Sequence, residues 1–233
     1  LEIKEKLGGV PVVLNLPAFE GDEYKRNIDI LEERVLSYSD EEQGMKVQKL
    51  DPSEVEKNII KDAREEIICT LADIDDEVAE KYLGGESFDV NYLRLKIREL
   101  TCKNLIIPVL SGAAFKNKGV QSLLDAIVYY LPSPVDRGDV SGIDFAKNKE
   151  VSRSPRDDDF FSGIAFKIAT DPYVGTLTFT RIYSGKIKSG GVVLNSNNGQ
   201  KIRVNKILQM HADSRKEVQE ASAGDIVALV GIK

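Results

Sequence analysis

The residues with a chemical opportunity lie at 111–120, SGAAFKNKGV, between the apolar run LIIPVL at 105–110 and a helix-like repeat at 120–131. Strand, small-residue loop and helix, in that order, leave unpaired backbone N–H groups at the carboxyl edge of a sheet, where α/β folds bind ligands. Many α/β proteins carry this pattern and bind nothing there, so on its own it marks a candidate only. Other chemistries have little to draw on. His211 is the single histidine, which excludes a multi-histidine metal site and argues against a Ser/His/Asp triad. Cys69 and Cys102 stand alone on helical patterns, with no C-x-x-C pair and no nearby histidine, and read as buried or idle thiols. Asp75 with Asp76, and the run 157–159, lack an acid/base partner and read as a helix start and a solvated linker. DPYVG at 171–175 reads as a tight turn, because Pro172 fixes φ and Gly175 admits positive φ. His211 itself reads as a hydrogen-bonded residue at a strand end.

The elements that position the central loop follow from composition and periodicity. With 233 residues, 42% hydrophobic and 30% charged, the chain suits one or two globular domains. No apolar run approaches the roughly 18 residues of a membrane span and no signal-peptide pattern opens the chain, so the expected location is cytoplasmic. Charge is uneven. Residues 159–233 hold 10 Lys and Arg against 6 Asp and Glu, so this part is at +4 and residues 1–158 are at −10, within a total of −6. An acidic part suits a basic protein partner and a mildly basic part suits phosphates; a solvated surface is the plain alternative for each.

Residues 1–9, LEIKEKLGG, read as the last two turns of a helix stopped by Gly8 and Gly9, in a chain that starts mid-element. Residues 10–16 read as one strand, 27–38 as one or two, and 44–50 as another. DPSE at 51–54 opens a helix, with Asp51 as cap, Pro52 at its first position and Glu54 reaching back. Val55, Ile59, Ala63, Ile67 and Leu71 are its expected buried stripe; Asp73 to Asp76 recap it, and Ser87 opens the next helix, carrying Val90, Leu93, Ile97 and Leu100. After the loop, Asn117 is the expected cap for a stripe of Val120, Leu123, Leu124, Ile127, Val128 and Leu131, ended by Pro132. Residues 135–158 form the candidate linker. Beyond them, strand-like runs at 160–169, 176–183, 191–195, 201–210 and 226–232 suggest a small antiparallel barrel whose last strand lacks a partner.

Longer words then identify a family. GAAFKNKGVQ (112–121), LDA (124–126), YLPSPVD (130–136), AFKIATDPYVG (165–175), LTF (177–179), RIYSG (181–185), MHA (210–212), AGDI (223–226) and EKYLGGE (80–86) stand in the order of bacterial elongation factor G, the GTPase that drives ribosomal translocation. The chain resembles that family along essentially its whole length. The resemblance implies an α+β multi-domain fold: a partial α/β P-loop-type GTPase domain with an inserted α+β subdomain, followed by an antiparallel β-barrel. Residues 1–104 would be the end of a GTPase-domain helix plus the insertion, 105–134 the last strand, guanine loop and helix of the GTPase domain, 135–158 a linker, and 159–233 the second domain, truncated at its end.

The resemblance also makes the central loop the family's guanine-facing motif, with Ala113, Ala114 and Phe115 at its base-contacting positions. Ala113 replaces the usual serine, which removes a hydroxyl and keeps the backbone donor. YKRNIDI at 24–30 departs too, with Arg26 where the family usually has glycine. No phosphate loop or Asn-Lys-x-Asp motif occurs in the sequence, and its one Asp-x-x-Gly, DVSG at 139–142, falls in the candidate linker and does not read as a switch. GTP and Mg²⁺ would therefore serve the intact protein, and this chain by itself is expected to have no catalytic residue, no metal and no turnover. Expected partners are ribosomal: the stalk protein at Glu54, Lys57, Lys61, Asp62 and Glu65, and small-subunit ribosomal RNA at Arg181, Lys186, Lys188 and Arg203; no membrane or DNA is implied. The alternatives are a related ribosomal protection GTPase and a free-standing, non-enzymatic ribosome- or RNA-binding module.

Overall fold

The computed structural model describes residues 2–39, 44–144, 147–212 and 214–232. Leu1 and Lys233, on which the expectations of a cut helix and a truncated barrel rest, lie outside them, as do short pieces of the expected linker and barrel. The chain divides into two units, Leu1–Leu131 and Pro132–Lys233.

The first unit opens with α1 (Glu2–Leu7), where Gly8 takes φ 64° and donates to the Lys4 carbonyl. The expected single strand at 10–16 is two. β1 (Pro11–Val13) and β2 (Asn15–Glu20) meet at Leu14, whose N–H goes to Val109 and whose carbonyl accepts from Ile30. One residue thus hands the chain from one sheet to another. β2, β3 (Glu23–Asp29), β4 (Arg34–Tyr38) and β5 (Val47–Leu50) form a four-stranded antiparallel meander.

The helix that follows, α2 (Glu54–Ala72), is capped by Ser53 and not Asp51: Glu56 N–H donates to Ser53 Oγ, and Ser53 N–H donates to Glu56 Oε2 at 2.8 Å. Pro52 therefore precedes the cap. The buried stripe is Ile60, Ile67, Ile68 and Leu71, while Val55 and Ile59 are exposed. Strict four-residue steps rotate about 40° each around a helix, so a row of five cannot hold one face; mixed steps of three and four can.

Asp75 caps α3 (Asp76–Leu83), as its sequence suggested, and α3 is tied to α4 (Val90–Cys102) by buried Lys96, which reaches Asp75 at 3.2 Å and Glu77 at 2.6 Å. Asp89, not Ser87, caps α4, accepting from the Asn91 and Tyr92 N–H groups. β6 (Ile107–Val109) pairs in parallel with β1, Pro11 opposite Ile107 and Val13 opposite Val109. α5 (Val120–Tyr130) begins at Gly119, φ 84°, rather than at an Asn117 cap, because Asn117 is itself left-handed (φ 53°) and ends the preceding 3-10 turn. Its buried residues are Ala126 and Tyr130; Leu123, Leu124, Ile127, Val128 and Leu131 are exposed. β1 and β6 form only a two-stranded sheet among the described residues, so α5 turns its Ala126–Tyr130 side inward and the leucine-rich face has no broader sheet to cover. The unit's core joins Val12, Leu14, Ile30, Ile67, Leu71, Leu93, Ile97, Leu100 and Tyr130.

In the second unit the expected linker carries regular structure: α6 (Pro134–Arg137), with Ser133 and Asp136 in a capping box, then a hairpin of β7 (Val140–Asp144) and β8 (Lys149–Arg153). The hairpin residues are mostly exposed, which is why apolar periodicity did not announce them. β9 (Ser162–Asp171), β10 (Gly175–Ser184), β14 (Lys206–His211), β15 (Ser214–Val218) and β17 (Ile226–Val230) make an antiparallel sheet in the order β15-β14-β17-β10-β9. Two ladders, β11 (Lys186–Lys188) with β16 (Glu220–Ser222) and β12 (Val192–Asn195) with β13 (Gln200–Arg203), complete a small barrel-like unit around Ile182, Ile187, Val204, Ile207, Ala221, Val227 and Leu229. DPYVG is the expected turn: Asp171 Oδ1 accepts from the Tyr173 and Val174 N–H groups, and Gly175 has φ 80°. His211 does end a strand, but its ring is exposed and the bond at this residue runs from Ser214 Oγ to its carbonyl. Cys69 and Cys102 are free and only half-buried.

Candidate functional site: a braced loop with two open donors

β6 delivers the chain to Ser111, and a 3-10 turn, Ala114–Lys116, carries it towards α5. The loop closes on itself. Ala113 N–H donates to the Lys118 carbonyl at 2.8 Å, and the Lys116 and Lys118 N–H groups return to the Ala113 carbonyl. Of the three base-facing positions expected from sequence, Ala113 has thus spent its donor internally. The Ala114 and Phe115 N–H groups donate to no described residue, and the Phe115 side chain is fully exposed. The loop therefore presents two adjacent open donors, a geometry suited to one carbonyl-type acceptor, which has two lone pairs.

What holds this loop comes from the meander, and the sequence did not reveal it. The Ser111 carbonyl accepts from Asn27 Nδ2 at 3.0 Å and lies 3.2 Å from the Tyr24 hydroxyl, which also contacts Asn27 Oδ1. Asn15 Oδ1 takes the Ser111 N–H at 2.7 Å and its hydroxyl at 2.9 Å. Lys118, 1% exposed, donates to the Tyr24 carbonyl. On the other side, a Cβ added to Gly44 would lie 2.2 Å from the Lys116 carbonyl, and Gln121 donates to the Met45 carbonyl. Burial raises the Tyr24 phenol above its ordinary pKa and pushes Tyr38 up to about 12, so both stay protonated at neutral pH. Arg26, the departure from the family pattern, sits on β3 within 3.6 Å of Glu20 and Glu56.

The five residues expected on one partner-facing surface of α2 fall on two flanks. Lys57, Lys61 and Glu65 line a groove of about 520 Å³ with Ile60, Arg64 and Ile68, whereas Asp62 lines a separate groove beside β1. Glu54 pairs with Lys57 at 2.6 Å, and this contact raises the Lys57 pKa. Glu65 accepts from the Tyr82 hydroxyl at 2.5 Å, which raises the phenol's pKa. Arg64, missed by sequence reasoning, donates to the Leu31 and Phe88 carbonyls and fixes the groove's floor.

The four basic residues expected to meet ribosomal RNA do not form one patch. Lys186 and Lys188 share a face of β11, but Lys186 pairs with Asp157 and both approach Glu220. Arg181 lies over the Tyr183 ring beside a cavity with Pro134 and Pro155, and Arg203 stands exposed at the end of β13. Among the described residues no cluster of His, Cys, Asp and Glu could hold a metal, and no helix is long and apolar enough to cross a membrane.

Comparison with known proteins agrees with this architecture. Residues 160–233 match the family model for elongation factor G domain 2. Elongation factor G from Orientia tsutsugamushi strains Ikeda and Boryong is 41% identical over 231 residues, 99% of this chain. A crystal structure of a protein from Thermus thermophilus shares the fold over 98% of this chain, TM-score 0.76 at 23% identity, and the chain covers 31% of it. Fold and sequence together make the chain a portion of a translation elongation factor. The relatives it resembles are elongation factor G, and the chain spans 33% of the length of those curated relatives.

Proposed function

We infer that this chain supplies one wall of the guanine pocket of a GTP-dependent ribosomal translocase, together with two ribosome-facing surfaces, and that it does not turn over GTP by itself. The observation that carries the reading is the pair of open N–H groups at Ala114 and Phe115, in a sequence related to elongation factor G along 99% of its length. Two donors can read a base carbonyl such as guanine O6. Phosphoryl transfer needs in addition a phosphate cradle, Mg²⁺ ligands and a positioned water, and the phosphate-loop and Asn-Lys-x-Asp motifs do not occur in these 233 residues. GTP and Mg²⁺ accordingly act in the intact protein, in the cytoplasm.

In this reading the groove of Lys57, Lys61, Arg64 and Glu65 receives the ribosomal stalk protein. Arg181, Lys186, Lys188 and Arg203 contact phosphates of small-subunit ribosomal RNA, weakly and with strong dependence on salt, since two of them already face Glu220. The test is GTP turnover by the purified 233-residue chain, expected at background, beside titration with the stalk protein, expected to show binding that weakens when Arg64 is replaced by alanine. Magnesium-dependent turnover by the isolated chain would refute the first part, and stalk binding indifferent to Arg64 the second.

A further inference from the structure

We propose that Asn27 and Tyr24, together with Asn15, are positioning residues for the base-facing loop: the inserted meander sets where the Ala114 and Phe115 donors point by fixing the Ser111 carbonyl. The proposal rests on the guanine-facing reading of that loop for its consequence, though not for its geometry.

Three side chains from β2 and β3 converge on a single residue of the loop. Asn27 is fully buried and Asn15 nearly so, and buried amides are retained where they are satisfied. Asn27 gives Nδ2–H to the Ser111 carbonyl and keeps its Oδ1 for the Tyr24 hydroxyl. Asn15 holds the Ser111 N–H and hydroxyl. Gly112 follows, packed so tightly that an added Cβ would lie 2.9 Å from the Lys118 carbonyl, and Lys118 in turn is anchored to the Tyr24 carbonyl. The far wall is Gly44, which admits the Lys116 carbonyl only because it has no side chain. The loop is thus gripped at its entry by β2 and β3 and at its turn by the β4–β5 connection, and the two N–H groups left over are spent on neither grip. A donor serves a carbonyl well only within narrow distance and angle, so a loop free to rock loses base discrimination before it loses its fold.

Two experiments separate the brace from the function. In the 233-residue chain, amide exchange at Ala113, Lys116 and Lys118 is measured for Asn27→Leu, Tyr24→Phe and Gly44→Ala. Asn27→Leu removes the donor without burying a charge, Tyr24→Phe is mild enough to fold if Asn27→Leu does not, and Gly44→Ala disturbs the loop from the opposite side. The expected result is a rise of at least about fivefold at those amides, the size set by one lost hydrogen bond, with protection in α2 and α4 unchanged. Unchanged exchange in Tyr24→Phe and Gly44→Ala would overturn the brace. In full-length elongation factor G carrying this chain, the preference for GDP over 2-aminopurine riboside diphosphate, which lacks the O6 carbonyl, should fall by a similar factor while affinity for the 2-aminopurine nucleotide holds. A loosened loop with an unaltered preference would leave the brace standing and refute its guanine-facing role.

Discussion

Replacing Lys96 with methionine tests the packing of the inserted subdomain most sharply. The Lys96 side chain is 7% exposed and its ammonium group meets Asp75, itself 13% exposed, as well as Glu77 and Glu99, which are 66% and 41% exposed. Methionine keeps the stem and deletes the charge, leaving Asp75 enclosed with only the backbone donors of Val78 and Glu77. Breaking a wholly buried pair costs about 3–5 kcal/mol, and the two exposed carboxylates contribute little, so about 2–3 kcal/mol is expected here. Burial alone would raise the Asp75 pKa, but the Val78 N–H and Lys96 hold it below 3.8; Lys96 likewise holds Glu77 below 4.5. Carboxylates depressed in the folded state stabilise above their unfolded values and lose that contribution as pH falls through the folded ones. The penalty of Lys96→Met should therefore be complete at pH 7 and shrink below about pH 4. Urea unfolding followed by helical circular dichroism is the assay, since every helix longer than one turn among the described residues lies in the first unit. With a slope of about 2 kcal/mol/M the midpoint should fall by about 1–1.5 M. A shift below about 0.3 M, or a stabilised protein, would refute the view that Lys96 locks α3 to α4.

Ser53→Ala should cost about 1 kcal/mol in the same assay, whereas Asp51→Ala should be nearly silent, because Ser53 holds the capping box. Arg215→Ala should loosen the 171–175 turn without unfolding the second unit; at Asp171 Oδ2 it loses a 2.5 Å contact, while Oδ1 keeps its two backbone donors, an outcome readable by amide exchange at Tyr173 and Val174. Phe115→Ala should leave the unfolding free energy within about 0.5 kcal/mol of the parent, since the ring is fully exposed. Raising salt from about 50 to about 200 mM should weaken any ribosomal RNA binding by the chain severalfold or more, and salt-independent binding would remove the phosphate-contact reading of Arg181, Lys186, Lys188 and Arg203.

The sequence showed the loop itself, because small residues between an apolar run and a helical repeat are a local signal. It showed the recapping at Asp75 and the turn at Asp171 for the same reason. It misplaced caps by two residues at Asp51 and Ser87, where several cap-competent side chains stand close together and only the backbone decides between them. It read α5 as buried on its leucine face, since periodicity reports amphipathicity and not which neighbour is present. The brace was out of reach altogether: Asn27 and Asn15 lie 84 and 96 residues from Ser111, and a lone asparagine in a strand-like run carries no signal of its distant partner.

A GDP-bound structure of full-length elongation factor G carrying this chain tests the central claim most directly. The account predicts the Ala114 or Phe115 N–H within about 3.2 Å of guanine O6, with the Ser111 carbonyl still held by Asn27. A bound base that leaves both N–H groups without an acceptor would contradict it.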